Sequence, residues 1–182
     1  MKYFLTLLTV LSLSACGDDG KNTAEELNIF HIESLSSQQI NESTSLLGLW
    51  QSDQYQHNGL SMQIRWQVLT NQTTVAKKCT TAEGLSYYVQ VTSSINSSGS
   101  HENGVTTTSI TLSSADKKTD LVEMTDGKVC RVSIDPQSGP NQFIVEGDGQ
   151  EFELSNSTIK NGVIELNYKE ESRTGTLTKI NN

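Results

Sequence analysis

Few side chains in this 182-residue chain have the type and spacing that catalysis needs. Its three histidines, His31, His57 and His101, stand far apart, and none has a second histidine or a cysteine two or four residues away. A zinc site needs such convergence. Neither a Gly-x-Ser-x-Gly elbow nor a glycine-rich phosphate loop occurs. The acidic turn Glu146-Gly147-Asp148-Gly149-Gln150-Glu151 offers oxygen ligands to calcium but lacks the full ligand spacing, and a hairpin turn explains it. Glu123 with Asp126, or Glu151 with Glu153, could form a carboxylate pair, yet alternating acids on a strand more often make a solvated face. The expectation is a protein that is not an enzyme and holds no metal or cofactor.

The cysteines carry more chemistry. Cys16 ends an N-terminal stretch with a positive start at Lys2, an apolar run from Phe4 to Leu13, and small residues at Ser14 and Ala15. That is the layout of a cleaved secretory signal, and the run is too short to span a bilayer of about 30 Å as a helix. Leu13-Ser14-Ala15-Cys16 resembles a bacterial lipobox. The resemblance implies that the Cys16 thiol takes up a diacylglyceryl group and becomes the mature N-terminus. Two or more acyl chains give a stable anchor where one does not. Gly17, rather than an aspartate, follows the cysteine, which in that family favours the outer membrane over the inner.

Cys79 and Cys130 remain, an even pair in a chain bound for an oxidising compartment. No Cys-x-x-Cys spacing suggests redox work. A structural disulfide is therefore expected, worth roughly 4 kcal/mol for a loop of that length in the chain-entropy picture. Hydrophobic residues make up only 34% of the chain, so a modest core gains from such a staple. The formal net charge of −8 becomes more negative once Lys2 leaves with the signal. An acidic surface repels nucleic acid and anionic lipid headgroups alike, so neither is expected as a partner.

The elements that position these residues are strands. Residues 17–45 are polar and without a sustained period, which reads as a tether, although Thr23-Ala24-Glu25-Glu26 has the form of a capping box and allows a short helix from Glu25 to Leu35. From Leu46 the period becomes two. Leu60, Met62, Ile64, Trp66 and Val68 alternate with polar residues without a mismatch. The same pattern recurs at Tyr87–Val91, Cys130–Ile134 and Ile164–Tyr168, and shorter strands are expected over 47–52, 73–80, 105–113, 142–146, 151–155 and 174–180. Turn signals separate them, among them Asn58-Gly59, Ser98-Gly99, Asn103-Gly104, Asp126-Gly127 and Asn161-Gly162. The expected organisation is a signal over 1–15, a lipidated cysteine and tether over 16–45, and one all-β domain over 46–182. About eight to ten antiparallel strands in a meander should close into a barrel, which abolishes edges, with a two-sheet sandwich as the alternative.

Leu47-Gly48-Leu49-Trp50 resembles the Gly-x-Trp motif that opens the barrel of lipocalins and related calycins. The resemblance implies that Trp50 plugs the closed end of the barrel against a basic residue near the last strand, Arg173 or Lys179. It further implies a hollow interior for a small hydrophobic or amphipathic ligand; Trp66, Tyr87 and Tyr168 fall on or near inward-facing registers, where they either pack the core or line such a pocket. The chain departs from the family in having only Thr119-Asp120 where a second motif would stand, and in strands rich in Thr and Ser. The expected function is ligand binding by a lipid-anchored envelope protein. The alternative is a protein-binding or structural envelope lipoprotein whose barrel is filled.

Overall fold

A computed structural model describes residues 28–32, 46–102, 105–136, 142–147, 150–155, 163–168 and 174–180. The signal and Cys16 lie outside them, as does Arg173. The strands are β1 (Gly48–Ser52), β2 (Tyr55–His57), β3 (Leu60–Val68), β4 (Gln72–Thr80), β5 (Ser86–Glu102), β6 (Val105–Leu112), β7 (Lys118–Glu123), β8 (Val129–Pro136), β9 (Gln142–Gly147), β10 (Gln150–Ser155), β11 (Val163–Tyr168) and β12 (Thr174–Lys179). Every pairing is antiparallel.

The sheet runs in the order β6-β5-β4-β3-β1-β12-β11-β10-β9-β8-β7, with β2 paired to β3 at one side. Its first and last long strands thus meet at the centre, as β1 lies between β3 and β12. Only neighbours in sequence pair elsewhere, so short turns suffice. At the β2–β3 hairpin the two-residue loop Asn58-Gly59 has φ of 50° and 76°. Both central residues lie in the left-handed region, which matches the twist of the flanking strands.

Alternation then sorts side chains to two faces. On the concave face, Trp50, Trp66, Val75 and Val91 stand in one cross-strand row over β1, β3, β4 and β5, and all are buried. Met62, Cys79 and Tyr87 form a second row. The sheet curls until β7 and β8 face β4 and β5, and Cys79 bonds to Cys130 across the interior, Cα to Cα 6.0 Å. This is the pairing expected from the two downstream cysteines.

The all-β expectation holds, but the expected closed barrel does not: the sheet is a strongly curled half-barrel. The reason lies at the seam between β5 and β7. There the Gln90 N–H donates to the Asp120 carboxylate at 2.8 Å, and the Lys118 ammonium donates to the Thr92 carbonyl at 3.2 Å. Side chains span the gap, so the two backbones stay too far apart for a ladder, whose strands lie about 4.8 Å from each other. Beyond residue 94, β5 leaves β4 and continues paired with β6 alone.

Candidate functional site

The residues singled out by Gly-x-Trp come together at one end of the curled sheet. Trp50 is fully buried, and its indole N–H donates to the Leu46 carbonyl at 2.8 Å. Lys179 lies directly opposite on β12, with its ammonium 5.4 Å from the centre of the Trp50 ring. A cation so placed over an aromatic face is worth about 0.5–2 kcal/mol. Gly48 makes room for it. A Cβ built there would stand 2.6 Å from the Lys179 Cε, and the backbone φ of 138° is one that side chains rarely tolerate. Glycine, tryptophan and lysine therefore form one unit. Burial pushes the Lys179 ammonium below the ordinary lysine range.

Trp66 and Tyr87 also face inward. Trp66 is wholly enclosed, donating its indole N–H to the Thr73 hydroxyl at 2.7 Å, so it packs the core and does not line an open wall. Tyr87 is half-buried at the rim, where its hydroxyl meets Thr125 Oγ1 at 3.3 Å. Tyr168 pairs with Phe152 between β11 and β10, and its side chain lies outside those described.

One interior residue escaped the sequence reading. Lys77 is 1% exposed, between Val75 and Cys79 on the concave face and opposite Ile64 and Val89. The signal was present: once Cys79 is taken as buried, period two places Lys77, and not Lys78, inside. A charged group in such surroundings is costly unless its bonding is satisfied.

The convex face carries a second assembly. In the segment read as a tether, residues 29–31 form a single 3-10 turn capped by Asn28, whose side chain accepts from Phe30 N–H. This is all that the described residues hold of the helix expected from Glu25 to Leu35. Ile29 is buried there against Leu49 and Ala76. The Arg65 guanidinium donates to the carbonyls of Ile29 and Ile32 at 2.9 and 3.0 Å and lies 5.0 Å from the Phe30 ring. The Gln90 side chain accepts from Ile29 N–H at 3.0 Å. Tyr88 packs edge-on to His31 at 5.2 Å, tilted against Phe30 at 5.7 Å.

Three of the polar residues weighed for catalysis, Asp126, Glu146 and His57, are engaged with neighbours. Asp126 binds Lys128 at 2.9 Å, and that hydrogen bond holds its carboxyl below the usual range. A carboxyl so held is poorly suited to act as a general acid near neutral pH. Glu146 of the acidic turn bonds to Lys117, which also reaches Asp135 at 3.5 Å. His57 meets its neighbour Asn58 at 3.0 Å, and the side chain of His101 lies outside those described. Among the described residues no three His, Cys, Asp or Glu side chains gather as metal ligands, and no helix is long and apolar enough to cross a membrane. Comparison of the chain with protein-family models, with curated proteins and with solved structures gives no match.

Proposed function

We propose that this chain is a lipid-anchored protein of the bacterial cell envelope, held by Cys16 in the outer membrane, whose domain works through its surface as a protein-binding or structural module. The observation that carries this reading is the dense set of buried side chains on the described concave face. Trp50, Trp66, Leu60, Met62, Lys77 and Ile134 are each at most 2% exposed, and the Cys79–Cys130 bond crosses the space between them. A small-molecule site needs about 300 Å³ or more of open, mostly apolar cavity, and the described side chains of the concave face are shielded from solvent.

A ligand-binding reading draws on a different observation. The Gly48–Trp50–Lys179 unit is the arrangement that the likeness to lipocalins and calycins implies, and the half-barrel is open along one side. In this reading a small amphipathic molecule would enter beside Tyr87. Titration of the full-length protein with a fluorescent fatty acid separates the two. No saturable binding is expected, whereas saturable binding displaced by an extract of the cell envelope would overturn the surface reading. The anchor has its own test. Cys16→Ala should release the protein from the membrane fraction or leave an uncleaved precursor, and a variant that partitions and migrates like the wild type refutes lipidation.

A further inference from the structure

The sheet receives residues 28–32 through side chains that are themselves held in place. The Arg65 guanidinium donates to the Ile29 and Ile32 carbonyls, and its Nε donates to the Gln51 side chain at 2.7 Å. A planar guanidinium fixed at one edge presents its other N–H groups in preset directions. The Gln90 side chain accepts from Ile29 N–H, while the Gln90 backbone is tied to Asp120 at the β5–β7 seam. Ile29 fills the space between Leu49 of β1 and Ala76 of β4, with Ile180 alongside. Phe30 and His31 lean on Tyr88 of β5.

This patch and the concave core are separate. Among the described residues, the cluster around Trp50, Trp66 and Cys79 shares no member with the cluster of Ile29, Leu49 and Ala76. Of residues 28–32 only Ile29 is buried. A segment with so few buried apolar contacts opens at a lower free energy than the strands beneath it. Covalent geometry gives that opening a consequence. With the segment docked, the chain from Cys16 to Asn28 reaches at most about 40 Å, whereas from Cys16 to Leu46 it reaches at most about 100 Å.

We infer that residues 28–32 are a releasable strap, clasped by Arg65 and Gln90 on the convex face, that shortens the tether between the anchor and the domain. The shortening rests on the proposed anchor at Cys16; the strap itself does not. Clasped, it keeps the domain beside the membrane that holds Cys16. Released, it leaves the sheet intact, since only Leu49, Ala76 and the Tyr88 ring lose their cover. The domain then ranges over the longer distance in search of a partner surface.

The test is amide hydrogen exchange on the full-length protein, purified from its membrane in detergent. In the wild type, residues 29–32 should be protected yet exchange faster than β3 and β4. Arg65→Ala removes two charge-assisted hydrogen bonds and should speed exchange over 29–32 by at least about tenfold, with β3 and β4 unchanged. Ile29→Ser, which leaves the sheet's own residues untouched, should do the same. Exchange of 29–32 in step with β3 and β4 makes the segment an integral part of the fold and overturns the strap, as does exchange that neither substitution alters. Tether length is read in phosphatidylcholine vesicles by energy transfer from the tryptophans to dansylated phosphatidylethanolamine, which should fall in both variants. Equal transfer overturns the shortening while leaving the strap. Failure to co-sediment with the vesicles overturns the anchor and the shortening with it, and the exchange result stands apart from both.

Discussion

Gly48→Ala puts the glycine–tryptophan–lysine unit to its sharpest test. The substitution adds one methyl group, so any large effect must come from local geometry. Two costs are separable. A φ of 138° is held in a region that an alanine occupies only under strain, at about 1–3 kcal/mol. The new Cβ would also stand 2.6 Å from the Lys179 Cε, so the lysine must leave its place over the Trp50 ring, forfeiting about 0.5–2 kcal/mol of cation–π attraction. The sum is about 1.5–5 kcal/mol. Urea denaturation followed by fluorescence reads it directly, because Trp50 and Trp66 are both buried. A double-mutant cycle with Lys179→Ala then divides it. In that background only the backbone strain remains, so Gly48→Ala should cost about 1 kcal/mol less than in the wild type. Equal costs in the two backgrounds would refute the claim that Gly48 exists to seat Lys179.

Three further outcomes are expected. Trp50→Ala should destabilise the domain by about 3–5 kcal/mol, and a loss under about 1 kcal/mol in the same denaturation assay would show that the ring is not an essential part of the core. Thiol labelling of the denatured, unreduced protein should find neither Cys79 nor Cys130 free, and the Cys79→Ala/Cys130→Ala variant should lose about 2–5 kcal/mol, with two reactive thiols as the refuting result. Because burial lowers the Lys179 pKa in the folded state, the unfolded chain binds more protons between that depressed value and the ordinary 10.5. Stability should therefore rise with pH through that window. Lys179→Met should flatten the slope, and a slope unchanged by that substitution would refute the assignment.

How much of this was legible in the sequence depends on how each strand signals its faces. β3 alternates without error and was read to the residue, and ten of the strands were expected at or near their places. β7 was missed because its pattern is inverted: Lys118 and Asp120 face the seam with Val122, while Leu121 is exposed. Period two was present, but its apolar phase was scrambled by residues recruited to bond the β5 edge. The alternation at Tyr87–Val91 covers only part of β5, since Ser98-Gly99 carries a turn signal; pairing with the β-branched residues of β6 overrides that local preference. β2 has only three residues and no pattern to read. The docking of Ile29 was hidden because a lone buried isoleucine has no period, and its bonds to Arg65 and Gln90 span more than thirty residues. Closure of the sheet was not legible at all, since it depends on whether two distant edges come within ladder distance, which alternation does not encode.

The seam between β5 and β7 has a consequence for how the molecule keeps to itself. Residues 86–94 form a straight edge whose outward N–H and C=O groups would otherwise template any passing strand, in another copy or in an unfolding neighbour. Asp120 occupies one of those donors and Lys118 one of the acceptors, so a would-be intruder must first displace two charged groups of opposite sign and leave them unbonded. The edge is guarded by borrowed side chains in place of a twelfth ladder. A lid of that kind is easier to lift than a ladder, because two bonds hold it instead of a full row. Substituting Asp120 or Lys118 would therefore harm the chain in crowded surroundings, by letting copies zip together, long before it harmed the folding of a single copy in dilute solution.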